Sequence, residues 1–336
     1  MSPSGPDGAR RRRRPSPVLL LWRTVAALPE PLVRAAAAAV VDVVWAIAVS
    51  PAGRRAGALA GVRQLARNLE SARPGLAPRP ARLLLRAALR SHARAWVDAF
   101  VVDGWPQERR RRAVRLVDDG ELRAALARGG AVVALSHSAS WDVMGAYAAL
   151  ELAPVTSVAE RLADDDVFEA FLRARAAVGV EALPLTGGAP PLPQLVRRVR
   201  AGSLVPLLVD RDLGGAAVEV DFLGGRARVA SGAAALADLA GAPLFALEAW
   251  YERDRSVVGG WVVRGRPHRV ERVLAGARAE RVAATTQACA DVLAAALARH
   301  PQDWHVLQPV LLAGAGAPAA GELRPAGGEP SAGEVP

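Results

Sequence analysis

From residue 131 onward the chain alternates short apolar runs with helix-compatible segments, and this alternation constrains the fold more than any other feature. Strand signals stand at 131–135, 155–158, 180–185, 204–209, 244–250 and 257–263. Helical patterns at 165–178, 191–201 and 232–240 fill most of the gaps, and a late helix over 280–300 closes the domain. Strands that alternate with helices predict an α/β fold, with a central mostly parallel sheet flanked by helices. The first third reads differently. Helical periodicity runs over 19–28, 31–47, 53–69, 80–102 and 108–128, broken at Pro and Gly. Residues 1–17, rich in Pro, Gly, Ser and Arg, are expected to form a disordered basic tail. Residues 314–336 read as a second disordered tail, which leaves 18–313 as a single domain.

Composition sets the materials. Apolar residues make up 51% of the 336 residues but aromatics only 4%, so the core must be built from Ala, Val and Leu. All 43 basic residues are Arg, which with the excess of Ala, Gly and Pro reflects a GC-rich coding bias. The net charge of +10 nevertheless favours anionic partners, an anionic membrane surface or nucleic acid. The lone Cys289 excludes an internal disulfide.

Arg10–Arg14 is followed by an apolar stretch carrying Trp22. A secretory signal would need a longer uncharged core and a small-residue cleavage site. The next run, 35–49, contains Asp42 and falls short of the ~20 apolar residues a spanning helix needs. No transmembrane span is expected. The reading is either a basic cluster beside a helix lying in the membrane interface or a basic tail before an ordinary core helix.

The chemistry concentrates after the first strand. The run Ala131 to Leu135 ends in Ser136 and His137, and Asp142 follows at the start of a helix-compatible run. A neutral imidazole in such a turn can take a proton from an alcohol while a carboxylate fixes its tautomer. Ligand sites in α/β sheets collect at strand C-termini, which favours this over a chance His-x4-Asp spacing. A second strand, 204–209, ends in Asp210, Arg211 and Asp212. If it neighbours the first, Asp210 can reach His137; otherwise these acids sit in a solvated Gly-rich turn. On the helix 165–178, Arg173 and Arg175 are two apart, so they point to different faces and at most one faces a site. A guanidinium there suits a phosphate or thioester oxygen. The histidines and Cys289 show no paired metal-ligand spacing, so no metal is expected. Ser136, Ser138 and Ser140 lack a nucleophile-elbow sequence, which weighs against a hydrolase or thioesterase.

An ordered set of motifs resembles the lysophospholipid and lipid A-type acyltransferase superfamily, nearest to the actinobacterial phosphatidylinositol mannoside acyltransferases. It comprises segments 62–69, 94–100, 137–142, 158–162, 175–179, 209–213, 218–224, 230–236 and 300–308, and spans roughly residues 20–312. The chain departs from the family at Ala139 and Ser140, where Gly and Asn are usual. The resemblance implies an enzyme, an acyl-CoA-dependent O-acyltransferase that acylates a hydroxyl of a membrane glycolipid. His137 would be its general base, with Asp142 and Asp210 as charge partners. Arg175, with Arg173, would hold an anion or polarise the thioester; Trp141, Arg161 and Arg211 would contact substrate. No cofactor is implied beyond acyl-CoA as co-substrate, and an apolar groove would take the acyl chain. The expected location is peripheral, on the cytoplasmic membrane face. The alternatives are another glycolipid or lysophospholipid as acceptor, or a non-catalytic protein that binds anionic lipid or nucleic acid. No nucleic-acid fold motif is visible, so nucleic acid is not expected.

Overall fold

Four long helices precede the first strand in the computed structural model, which describes residues 16–312 apart from 52, 54–56, 162–163, 188–189, 213–214 and 216. The basic run at 10–14 and the tail at 314–336 lie outside the described residues. Helix α1 (Pro17–Ala27) opens under a Ser16 cap, and α2 (Glu30–Val49) starts with Pro31 in its first turn, where a missing N–H costs nothing. Helices α3 (Ala60–Ala72) and α4 (Pro78–Val101) complete the layer.

The region expected to be one helix over 108–128 is instead α5 (Gln107–Arg112), the edge strand β1 (Val114–Leu116) and α6 (Gly120–Arg128). Three residues carry no period of their own; β1 exists because a distant strand pairs with it. The chain continues through β2 (Ala131–Leu135), α7 (Trp141–Glu151), β3 (Val155–Ala159), α8 (Asp165–Ala177), β4 (Val180–Pro184), α9 (Leu192–Arg200) and β5 (Leu204–Leu208). A hairpin follows, β6 (Ala217–Phe222) and β7 (Gly225–Ala230), which the strand reading missed. Then come α10 (Gly232–Ala240), β8 (Leu244–Arg253), β9 (Trp261–Val270) and α11 (Arg278–Arg299). The strand expected at 257–263 begins only at Trp261, because the preceding residues form the tip of the β8–β9 hairpin.

Seven strands form one sheet in the order β1-β9-β8-β2-β5-β3-β4. Every pairing is parallel except β8 with β9. The central strand β2 is buried on both faces. Val132 and Ala134 pack with α9, α10 and α11, while Ala131 and Val133 pack with α6 and α7. The small side chains expected from composition are the ones that fill these layers.

Candidate active site

Strands β2 and β5 run parallel in register, with Leu135 opposite Leu208. Each therefore delivers the residue two positions past its end to the same place, the C-terminal edge of the sheet. From β2 this is His137 and from β5 it is Asp210. The His137 Nδ1 stands 2.6 Å from Asp210 Oδ1, and the His137 backbone N–H donates to Oδ2 at 2.9 Å. Trp304 Nε1–H donates to the same Oδ2, also at 2.9 Å. Burial alone would raise the pKa of Asp210. The His137 charge and the donors from His137 and Trp304 outweigh it, so the carboxyl lies below its ordinary value. An ionised carboxylate can only accept, so in the neutral imidazole Nδ1 is the nitrogen that carries the proton and Nε2 keeps its lone pair.

The turn that holds His137 is braced from the far end of the chain. The Ala139 N–H donates to the Asp303 carbonyl at 2.9 Å, and the His305 N–H donates to the His137 carbonyl at 2.9 Å. Asp303 is itself buried, accepting from Ser91 Oγ at 2.5 Å and from the Tyr251 N–H at 3.1 Å. Burial pushes its carboxyl above the usual range. Ala139 sits at φ +52° with no exposed surface, in the left-handed region that favours glycine.

Asp142 takes a different place from the one expected. It does not hold the imidazole, whose Nδ1 is occupied by Asp210. Instead it accepts from Arg175 Nε at 2.9 Å. Trp141 meets the His137 ring edge-on at a centroid distance of 5.4 Å. The next residue lies ~100° further round α7, which turns Asp142 toward α8. Arg175 is thus the arginine of α8 that faces the helix start. Arg173 points to solvent and pairs with Glu169 at 3.3 Å. Arg161 pairs with Asp165 on the surface, and Arg211 stands 4.0 Å from Glu160. The structure therefore joins His137 to Asp210 and Trp141, joins Asp142 to Arg175 at the start of α7, and leaves Arg173 and Arg161 on exposed faces.

The sequence reading missed the brace: Trp304, His305, Asp303, Ser91 and His92. The segment 300–308 stood out as a motif, but nothing local says that its indole reaches Asp210 across 94 positions. His92 and His305 meet edge-on at 5.3 Å. Burial, helped by the His137 charge, pushes the His92 imidazole down to about 4, and burial pushes His305 well below the usual range. Ser136, Ser138 and Ser140 are all buried. The first two share a hydrogen bond at 2.7 Å, and Ser140 caps α7 through the Val143 N–H.

Residues 15–313 match the family described as Bacterial lipid A biosynthesis acyltransferase. The chain is 37% identical over 298 residues to a protein of Mycolicibacterium smegmatis named phosphatidylinositol mannoside acyltransferase, covering 87% of this chain and 89% of the relative. Two proteins of the same name from Mycobacterium tuberculosis are each 36% identical, over 299 and 302 residues, covering 87% of this chain and 86% of each relative.

Proposed function

The chain belongs to the bacterial lipid A biosynthesis acyltransferase family, and from that premise we propose that it moves a long-chain acyl group from acyl-CoA to a hydroxyl of a phosphatidylinositol mannoside, with His137 as general base. The observation that carries this reading is the clamp on the imidazole: Nδ1 is held by buried Asp210 at 2.6 Å, leaving Nε2 to accept a proton. As the acceptor hydroxyl loses its proton to Nε2, its oxygen attacks the thioester carbonyl. The C–S bond then breaks and the imidazolium returns the proton to the leaving thiolate. Asp210 stabilises the imidazolium throughout. A positioned base of this kind contributes ~10²–10⁴ in rate. The N–H groups of Arg175 not used by Asp142, with the start of α7, are the donors proposed for the oxyanion. The buried, hydrogen-bonded serines favour a substrate hydroxyl over a protein nucleophile.

The reading places the chain peripherally on the cytoplasmic membrane face. Helix α2, at 20 residues, is longer than the expected run and is long and apolar enough to cross a membrane by length and composition. Two carboxylates held in four ion pairs support a peripheral position. Asp42 is gripped by Arg86 and Arg90 of α4, and Glu30 by Arg34 and by Arg109 of α5, so crossing would draw an arginine-rich helix into the bilayer. Trp22 is not the expected interfacial anchor, since it is buried against Phe100 and Phe171 and donates to the Phe100 carbonyl. Val18, Leu20, Leu21, Leu32, Val40, Val43 and Ile47 are the large exposed apolar residues of α1 and α2.

The test is turnover by the purified chain with acyl-CoA and a phosphatidylinositol mannoside, read by lipid mass spectrometry. A product with one added acyl group, lost in His137→Ala, is expected. Release of free fatty acid at the same rate without acceptor, or an active His137→Ala protein, would overturn the reading.

A further inference from the structure

A cavity of about 280 Å³ opens between α4, α5, the start of α7 and the tip of the β8–β9 hairpin, near the small end of ligand pockets. Four guanidiniums line it, those of Arg34, Arg94, Arg109 and Arg112, with the carboxylates of Asp98 and Glu108. Three of the four are committed. Arg34 pairs with Glu30 and Asp98, Arg109 with Glu30, and Arg112 with Glu108. Counting Glu30, three carboxylates face four guanidiniums.

The fourth, Arg94, has no ion pair and donates no hydrogen bond among the described residues. It stands over the Trp261 ring at 3.7 Å and the Tyr251 ring at 4.6 Å. Stacking on ring faces satisfies the flat surfaces of a guanidinium and leaves its in-plane N–H donors unused. Trp261 has a donor only, and the Tyr251 hydroxyl donates to Asp98 and takes no hydrogen bond from Arg94 among the described residues. A largely buried cation with five unused donors beside an open cavity is the arrangement that recognises a planar or tetrahedral oxyanion.

The cavity also adjoins the candidate active site. Val143 of its wall follows Asp142 on α7, and Tyr251 donates its backbone N–H to Asp303, which braces the His137 turn. An anion bound here lies against the scaffold of the site.

We propose that this cavity receives a phosphoryl group on Arg94. The inference rests on the acyltransferase reading for the two sources of that group: the headgroup phosphodiester of the glycolipid acceptor, or the phosphates of the acyl-CoA donor. Calorimetric titration of the full chain in detergent at low salt separates them, with glycerophosphoinositol as one probe and adenosine 3′,5′-bisphosphate as the other. Binding of the first assigns the cavity to the acceptor, and binding of the second to the donor. Arg94→Met should weaken that binding by about tenfold or more, the scale of a charge-assisted hydrogen bond. Arg94→Lys should recover part of it. Val258→Asp places a carboxylate at an exposed position on the cavity wall without touching the core, and should weaken binding as well. The KM for the substrate that carries the recognised group should rise by a similar factor in these variants. The His137→Ala protein should bind the probe like wild type, so failure of the catalytic reading and failure of this one are distinguishable. Binding of neither probe, or equal binding by wild type, Arg94→Met and Val258→Asp, would overturn the proposal.

Discussion

The His137 turn and the α1–α2 helix pair use their residues in opposite ways. In the turn, polar groups are tied inward: strand ends from β2 and β5 and the segment after α11 meet at one imidazole, Ser91 of α4 secures that segment, and even an alanine is held at positive φ. In α2, the charged residues are tied to its neighbours while Leu32, Val40, Val43 and Ile47 recur along one exposed side. One region is over-determined, and its hydrogen-bonded side chains cannot be changed singly without loss. The other carries apolar surface that contributes nothing to the core. On the proposed function, that contrast corresponds to a fixed reaction centre mounted on a surface-binding support.

The sharpest way to break the contrast is at Asp210. Asp210→Asn keeps the shape but loses the charge that fixes the Nδ1–H tautomer. Turnover should fall by ~10²–10⁴ at saturating substrate. Asp210→Ala should in addition destabilise the fold by roughly 1–3 kcal/mol, because the buried Trp304 and His137 donors lose their acceptor. Denaturant melts beside the kinetics would show it, and an Asn variant with near wild-type turnover would mean that the clamp is only structural.

Acid should find the site half first. His92 and His305 are held neutral by burial, with folded pKa values below the ~6.5 of the unfolded chain. Below that value the unfolded state binds more protons, so their stabilising effect is complete above pH ~6.5 and is lost as pH falls toward the folded values. Asp210, held low, adds loss further down. Asp303 works the other way, since burial raises its carboxyl and protonation relieves it. A net fall on the order of 1–3 kcal/mol between pH 7.5 and 5 is expected. A flat stability profile over that range would contradict the burial argument.

The support half should respond in binding and not in stability. Val40→Asp with Val43→Asp should leave unfolding within ~0.5 kcal/mol of wild type, as for other exposed positions. Binding to anionic vesicles should weaken several-fold. Removal of residues 1–15 should weaken binding further at low salt, by up to ~1 kcal/mol for each arginine near the surface. Equal vesicle sedimentation by all three proteins would show that this face is not the one that meets the bilayer. The smallest effect concerns the turn itself. Ala139→Gly removes a Cβ from a left-handed position and should change stability by no more than ~1 kcal/mol, on the stabilising side if relief of strain exceeds the entropy of glycine. Thermal unfolding of the two proteins reads the sign directly.

The legibility of the sequence followed the range of the interaction. Periodicity is local, so the helices α1, α2, α4, α8 and α11 and the strands β2 to β5 could be read directly. The placement of His137 and Asp210 just beyond apolar runs was equally visible, because strand ends are marked by where apolar character stops. The short strand β1, the hairpin β6–β7 and the true start of β9 were not legible, since each depends on a partner strand and not on its own pattern.

The site divides along the same line. Sequence determined which residue types stood at the strand ends. Only the parallel register of β2 with β5 decided that Asp210, and not the nearer Asp142, meets the imidazole. Helix phase turned Asp142 toward Arg175, and the return of the chain after α11 brought Trp304 to the carboxylate. A sequence records spacing along one dimension, whereas a charge pair depends on distance and direction in three, and those were set by sheet order and packing.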